Sequence, residues 1–287
     1  MAGELLSAGG LEWAFRTAEV NQKNAKTEKL PVLLLHGLGS SSYSYRGLLD
    51  QLGEAGHEAY AVDWIGHGAS EKPNTGKFDY SEGAYLTALA TLVEQLPIRK
   101  PFALVVQGFV LGQYGLLYAL QHSEQIEKLI ILNTPVGLKT KLRPELAAYK
   151  SPLAFLRPNP KKPFPGMNYN ASGSAYVMQY RDAEIYDRPY QESEHASVAI
   201  ASIMDQVDFP ALLQRVDEGY NTWRKPALLV FGSDDPFIDI RTAFDFLDSK
   251  RTNMRLAQLQ AKLGHMPQED YPEGIAPAML EFLQAQA

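Results

Sequence analysis

The sequence of 287 residues contains no cysteine. Disulfide bonds, thiolate metal ligands and a cysteine nucleophile are therefore excluded together. Long apolar runs are also missing, since none reaches the roughly 20 residues that a membrane-spanning helix needs. The N-terminus has neither the basic region nor the apolar region of a signal peptide. We expect no membrane span, and a protein that is cytoplasmic or a mature soluble chain lacking its targeting segment.

The sequence also has no excess of positively charged residues. The formal net charge is −6 and the pI is about 5.6, so we expect no nucleic-acid partner, because phosphate binding needs a basic face. His57, His122 and His195 show no metal-ligand spacing, and we predict neither a metal site nor a cofactor. With 45% hydrophobic and 21% charged residues, the composition is that of an ordinary globular protein with a sizeable core.

The stretch from Phe102 to Leu120 is the centre of the sequence. An apolar run, Phe102 to Val106, is followed by glycines and then by apolar residues at helical spacing. This pattern predicts a buried strand, a tight turn and a packed helix. Such a strand–turn–helix unit is typical of a nucleophile elbow, in which the apex residue lifts its side chain above the sheet.

The expected nucleophile is missing from this turn. Anchoring the motif on the glycines, on the strand end or on the helix places Val110, Gly108 or Phe109 at the apex. No residue from Gln107 to Leu111 carries a hydroxyl, thiol or carboxylate, so none can attack a carbonyl or a carbon–halogen bond.

Strand and helix patterns alternate along the rest of the chain, which predicts a mostly parallel, doubly wound α/β sheet. Leu11 to Val20, followed by the polar segment Asn21 to Lys29, indicates an antiparallel hairpin with the next strand at the sheet edge. Further strands are predicted at Pro31–Leu35, Glu58–Asp63, Ile126–Leu132, Pro226–Phe231 and Met254–Leu259. Helices are predicted at Tyr43–Leu52, Tyr80–Leu96, Ile240–Asp248 and Glu273–Ala287.

A proline-punctuated, tyrosine-rich segment interrupts this alternation. It is too long for a simple connection and predicts a helical lid over residues 134–205, inserted between core segments 1–133 and 206–287.

Four stretches in this order resemble the α/β-hydrolase superfamily, most closely its haloalkane dehalogenase and epoxide hydrolase branch. They are Leu33–Tyr43, Asp63–Pro73, Val105–Gly108 and Gly264–Pro272. The resemblance implies an α/β-hydrolase fold with a cap. In that branch an Asp nucleophile and a Trp stand where this chain has Gly108 and Phe109, and Leu38 replaces the halide-binding Asn of many dehalogenases. These departures argue against dehalogenation.

The resemblance also implies the base and the acid of the usual triad. His265 follows the last strand in Gly264-His265, and Asp235 ends Gly232-Ser-Asp-Asp235, with Asp234 as the competing carboxylate. The backbone N–H of Leu38 is a candidate oxyanion donor together with the residue after the apex. Trp64 is a candidate for the pocket mouth, and His36 is expected to be structural.

Three functions stay open at this point. The first is a non-hydrolytic or weakly hydrolytic protein that binds a small apolar molecule over Gly108, Phe109 and Val110. The second is a non-covalent enzyme of hydrolase, lyase or cofactor-free oxygenase type, in which His265 and Asp235 form a general base. The third is a scaffold or assembly factor with a protein partner.

Overall fold

A computed structural model of the chain describes residues 3–24, 28–247, 251–257, 259 and 262–285. Its centre is a sheet of eight strands in the order β1-β2-β4-β3-β5-β6-β7-β8. The strands are β1 Glu4–Ala8, β2 Leu11–Thr17, β3 Val32–Leu35, β4 Ala59–Val62, β5 Phe102–Gln107, β6 Ile126–Leu132, β7 Ala227–Val230 and β8 Met254–Leu256. All pairings from β4 to β8 are parallel, which confirms the predicted mostly parallel α/β-hydrolase sheet.

The antiparallel edge differs from the prediction. The hairpin joins β2 to β1, a strand that was not predicted, and β2 then pairs with β4 instead of β3. Gly9 and Gly10 form the turn, with φ of 61° and 75°. Two adjacent residues with positive φ match the twist of a two-residue hairpin, so this Gly-Gly pair was the available signal.

Helices cover both faces of the sheet. They are α1 Arg46–Glu54, α2 Glu82–Gln95, α3 Leu111–Gln121, α4 Pro144–Ala147, α5 Gly166–Ala171, α6 Tyr180–Glu192, α7 Glu194–Gln206, α8 Phe209–Tyr220, α9 Arg241–Leu247, α10 Pro267–Asp270 and α11 Pro272–Gln284. The predicted helices appear with ends shifted by a few residues. A few residues of the predicted elements lie outside the described residues. They are Asp248 of the predicted helix Ile240–Asp248, residue 258 of the predicted strand Met254–Leu259, and the last two residues of the predicted helix Glu273–Ala287.

The core strands are buried on both faces, as their unbroken apolar runs indicate. On β5, Leu104 and Val106 join a cluster with α2, α3 and α8, whereas Ala103 and Val105 join a second cluster with α1 and α11. The period of two along a strand separates these two layers and fixes the register of the sheet.

Helices α4 to α7 lie between β6 and the start of α8. We call the predicted insertion, residues 134–205, the lid; α7 extends one residue beyond it. The division of the lid from the core at these residues stays a prediction. Several hydrogen bonds join the lid to the core. Among them, the Asn170 side-chain amide donates to the Gly39 carbonyl at 3.0 Å, and the His265 N–H donates to the Gly173 carbonyl at 2.6 Å. The lid is therefore closed over the carboxyl ends of the central strands.

Among the described residues, no single helix is long and apolar enough to cross a membrane. Helices α7 and α8 meet that criterion only as a pair bent by 72°.

Candidate active site

Gly108 occupies the apex of the turn between β5 and α3. Its φ is +80°, a conformation that disfavours L side chains, and it directly follows the last residue of the strand. A Cβ atom placed on Gly108 lies 3.7 Å from Nε2 of His265 and 3.0 Å from Cα of Gly37. Of the three registers, the structure therefore selects Gly108 as the residue that faces the imidazole.

Val110 does not stand at the apex and does not border the cavity at Gly108, in contrast to its predicted binding role. Its φ of 61° and ψ of −68° form a γ-turn, closed by a 2.8 Å hydrogen bond from the Leu111 N–H to the Phe109 carbonyl. This conformation is strained for a β-branched residue. The turn directs the Phe109 carbonyl toward the loop after β3.

The prediction of Leu38 as an oxyanion donor is wrong for this conformation. Its N–H donates to the Phe109 carbonyl at 3.0 Å. A donor that is already hydrogen-bonded to the main chain cannot stabilise a developing oxyanion without rearrangement. The side chain of Leu38 still borders the cavity, as predicted for a binding residue, together with Phe109.

His265 and Asp235 form a dyad. The Nδ1 atom of His265 lies 2.9 Å from Oδ2 of Asp235, and both side chains are almost completely buried. The competing Asp234 is exposed and accepts from the Ser233 hydroxyl instead. Because Asp235 accepts the Nδ1 proton, Nε2 is left free to take a proton on the side that faces Gly108.

Four donors surround the Asp235 carboxylate. Besides His265, the Asn133 side-chain amide donates to it at 2.7 Å, and the N–H groups of Phe237 and Ile238 donate at 2.8 and 3.1 Å. Burial alone raises the pKa of Asp235, but the attraction and hydrogen bond of His265, with the other donors, outweigh it and leave this pKa below its ordinary value. The carboxylate therefore stays ionised beside the imidazole.

Packing holds the His265 ring in place. Phe109 lies 5.2 Å and Phe237 5.5 Å from it, measured between ring centroids, so the imidazole sits between two aromatic rings. The Gln107 side-chain amide donates to the His265 carbonyl at 2.9 Å. The end of β5 thus fixes the loop that carries His265.

A cavity of about 10 Å³ lies between the dyad, the apex and the lid. This volume is close to the space of one water molecule and is far below that of an organic ligand. Ser40 Oγ and Asn170 Oδ1, on two residues at the cavity wall, are buried without a hydrogen-bond partner among the residues that the structure describes. The cavity therefore has both the size and the polar groups that a water molecule requires.

Arg143 brings a buried cation to the cavity wall from the lid. It is 2% exposed, pairs with Glu145 at 3.0 Å, and donates to the Tyr169 carbonyl at 2.7 Å. Its guanidinium also stacks on Tyr169 and Phe237, with 3.6 and 4.0 Å to the ring centroids. Arg143 therefore connects the lid to the aromatic ring that supports His265.

Trp64 does not reach the pocket mouth. Its side chain is fully buried, packs edge-on against Tyr85 at 5.6 Å, and donates its indole N–H to the His36 carbonyl at 2.9 Å. His36 accepts the Trp64 N–H at Nε2, at 3.1 Å, and burial lowers its pKa. The prediction for Trp64 is wrong because its loop folds inward, and His36 has the expected structural position.

Several residues of this site were not predicted from the sequence: Ser40, Gln107, Asn133, Arg143 and Asn170. Only two of them carried a signal. Gln107 and Asn133 are polar residues that directly end the buried strands β5 and β6, at the sheet edge where such sites form. The lid residues offered none, because their position depends on how the lid packs.

A larger cavity of about 640 Å³ lies elsewhere, between the start of the lid and α9. Charged residues, including Lys139, Asp217 and Asp245, line it, and it contains neither member of the dyad. Within the described ranges, no group of three or more His, Cys, Asp or Glu side chains is arranged to hold a metal ion.

Comparison with known proteins agrees with the fold. The family model for serine aminopeptidase S33 (Hydrolase_4) matches residues 26–270. The chain belongs to this α/β-hydrolase family. Within the superfamily it is close to the haloalkane dehalogenase branch.

The individual relatives share limited sequence identity with this chain. A haloalkane dehalogenase from Mycolicibacterium paratuberculosis is 27% identical over 263 residues, which cover 89% of this chain and 84% of that protein. A cis-3-alkyl-4-alkyloxetan-2-one decarboxylase from Shewanella oneidensis is 36% identical, but over only 104 residues, 36% of this chain and 32% of the relative. The crystal structure of the haloalkane dehalogenase DbeA from Bradyrhizobium elkani superimposes with a TM-score of 0.77 at 18% identity, covering 98% of this chain and 97% of that one.

Proposed function

We propose that this α/β-hydrolase works without a covalent intermediate, with His265 acting as general base on a water molecule beside Gly108. The observation that carries the proposal is the position of His265 Nε2, 3.7 Å from where a Cβ atom on Gly108 would lie. In this geometry, water takes the place of the side chain that is missing from the apex.

The proposed reaction is the hydrolysis of an ester by water. Water transfers one proton to Nε2 of His265, and its oxygen forms a bond to the carbonyl carbon of an ester. When the tetrahedral adduct breaks its bond to the alcohol oxygen, the imidazolium returns the proton to that oxygen. Asp235 remains ionised throughout and stabilises the imidazolium. We propose a small, mostly apolar substrate, because Leu38 and Phe109 border the site.

The water itself has suitable partners in this proposal. Ser40 and Asn170 line the same small cavity as His265, and their Oγ and Oδ1 atoms are buried without a hydrogen-bond partner among the described residues. A buried water needs hydrogen bonds to two to four polar groups. A substrate larger than water requires the lid to move, since the cavity measures about 10 Å³.

We expect slow catalysis. With the Leu38 N–H held by the Phe109 carbonyl, one oxyanion donor is missing, and such a donor is worth about 10²–10³ in rate in acyl-transfer enzymes. A positioned general base contributes about 10²–10⁴ by itself.

The test is ester hydrolysis by the wild type and two histidine variants. With p-nitrophenyl butyrate, the wild type should exceed the buffer rate, and His265→Ala should remove about 99% of that excess. His195→Ala, at an exposed position on α7, controls for hydrolysis by surface imidazoles and should match the wild type. Equal rates for the wild type and His265→Ala would refute the proposal.

A second candidate is a pocket protein that binds an apolar small molecule without turning it over. The hydrogen bond from the Leu38 N–H to the Phe109 carbonyl favours it, because this bond removes a catalytic donor. Thermal stabilisation by a non-hydrolysable apolar ester analogue, together with no His265-dependent hydrolysis, would select this function over the first.

A further inference from the structure

The first part of the lid, residues 134–181, differs from the rest of the protein in charge. It contains eight Lys or Arg and one acidic residue, Glu145, a net formal charge of +7, although the whole chain has a formal charge of −6. The remaining residues together therefore carry a net formal charge of −13. Such an asymmetry indicates a surface that meets a negatively charged partner.

Within the lid, Lys150–Lys162 combines this charge with exposed apolar side chains; we call it the lid loop. Phe155 is 81% exposed, Leu156 57% and Leu153 51%. These three residues lie on or beside a single 3₁₀ turn, Ala154–Leu156, so they project from one small region.

Basic residues flank the exposed apolar turn. Lys150, Arg157, Lys161 and Lys162 are exposed, and the lid loop contains no acidic residue. No side-chain ion pair is found for these four residues within the described part of the chain. Asp205, on α7, borders a groove together with Arg157 and Pro158, and its backbone carbonyl accepts a hydrogen bond from Lys150 Nζ at 3.0 Å.

The loop is held in this shape by its own backbone. The Leu156 N–H donates to the Leu153 carbonyl at 2.9 Å, and the Arg157 guanidinium donates to the Ser151 carbonyl at 2.7 Å. The apolar side chains are thus presented by an ordered turn and contribute little to the core.

We propose that the lid loop docks the protein peripherally on a bilayer surface that contains anionic lipids. A bilayer offers negative headgroups for the four basic residues and, immediately beneath them, hydrocarbon for Phe155, Leu156 and Leu153. A nucleic acid would satisfy the charges and leave the aliphatic side chains in water. A lipid surface therefore accounts for both the basic and the apolar side chains of the lid loop. This proposal does not depend on the proposed catalytic function.

The experiment measures vesicle binding of the full chain by co-sedimentation. Vesicles of phosphatidylcholine with 30 mol% phosphatidylglycerol are compared with pure phosphatidylcholine at low and high salt. We expect binding to the anionic vesicles only, weakened by salt. The double variant Lys161→Glu/Lys162→Glu should lower the affinity at least 10-fold, since each basic residue near an anionic surface contributes about fivefold.

Matched variants separate the loop from general surface effects. Phe155→Ser should also lower the affinity about 10-fold, whereas Phe244→Ala, at a 52% exposed position on α9, and Lys23→Glu should not. Phe155→Trp adds an exposed reporter, because Trp13, Trp64 and Trp223 are all buried. Its fluorescence should shift to the blue with anionic vesicles.

Three results would overturn the proposal. The first is no binding to anionic vesicles, and the second is binding that the loop variants leave unchanged. The third is that the protein does not bind vesicles but self-associates, or binds an RNA oligonucleotide, through the lid loop. Self-association would assign the surface to a second copy of the chain, and RNA binding would assign it to a nucleic acid. Ester hydrolysis, measured in parallel without vesicles, should be the same for all loop variants.

Discussion

His265 faces Gly108, and a Cβ atom placed on this glycine would lie 3.7 Å from Nε2 of the imidazole. The imidazole that we propose as the general base is therefore aligned with an apex that carries only hydrogen. This relationship makes the apex the first position to change.

Gly108→Asp should install a carboxylate within reach of the reaction site. The variant should be less stable by about 1–3 kcal/mol, because Gly108 has a φ of +80° and a Cβ atom there would approach Cα of Gly37 to 3.0 Å. With a short bromoalkane, we expect bromide release that can exceed one equivalent per protein, because His265 can activate a water molecule to hydrolyse the alkyl ester. Gly108→Ala, with the same strain and no carboxylate, should release none. Bromide release by Gly108→Ala would show that the carboxylate is not the attacking group.

Asn133 should be required for the dyad although it does not contact His265. Its amide donates to Asp235 at 2.7 Å, and its carbonyl oxygen accepts the Gly232 N–H at 2.9 Å. Asn133→Gly keeps the backbone freedom that its φ of 36° requires and removes both bonds. We expect a loss of about 1–3 kcal/mol in the free energy of unfolding and a lower His265-dependent rate.

In Asn133→Asp, the substitution keeps an acceptor for Gly232 but places a second carboxylate beside Asp235. This like-charge pair should raise the pKa of one of the two groups and lower the rate further at neutral pH. A variant with wild-type activity would show that the second partner of Asp235 is dispensable.

The turn between β5 and α3 and the pairing of Asp235 with His265 were predictable because each lies in a short local pattern at the end of a strand. The glycines around Gly108 predicted the turn, and the loops carrying Asp235 and His265 follow late strands. The direction of the Phe109 carbonyl was not predictable, because it depends on the γ-turn at Val110 and no sequence motif specifies that backbone conformation. The cavity volume was not predictable either, because it depends on how Arg143 and Asn170 pack from the lid.

Stability should depend on pH through Asp235. Its pKa in the folded protein lies below its ordinary value, which is about 3.9 for an unfolded chain. The ionised form therefore stabilises the fold fully above about pH 4, and this contribution is lost as the pH falls through the lower folded pKa. The stability difference between wild type and Asp235→Asn should be about 2 kcal/mol at pH 6 and smaller at pH 3, measured by chemical unfolding. A difference that is constant between these pH values would contradict this assignment.

The lid should loosen when one of its hydrogen bonds to α10, that from Tyr186 to Glu269, is removed. The Tyr186 hydroxyl on α6 donates to Glu269, which also accepts two hydrogen bonds from Arg46 at 2.6 Å each. Tyr186→Phe removes only the lid partner and leaves the ion pair intact. We expect faster hydrogen exchange at the amides of α5 and α6, with little change in β5, in hydrogen-exchange mass spectrometry.

Tyr180→Phe is the matched control for the lid, because Tyr180 is 71% exposed on the same helix. Its exchange should equal that of the wild type. If Tyr186→Phe also leaves α5 and α6 unchanged, the lid is held by other contacts, such as that between Asn170 and Gly39.

The most direct measurement is intact-protein mass spectrometry of the wild type and His265→Ala after incubation with an activated ester and with a bromoalkane. Gly108→Asp/His265→Ala is the positive control, because the carboxylate can form an ester that lacks the base needed to hydrolyse it. We expect no mass increase for the wild type or His265→Ala, and an increase of one alkyl group for the control with the bromoalkane. An acyl or alkyl adduct that maps to a side chain lining the cavity of the wild-type protein would contradict the proposed non-covalent mechanism.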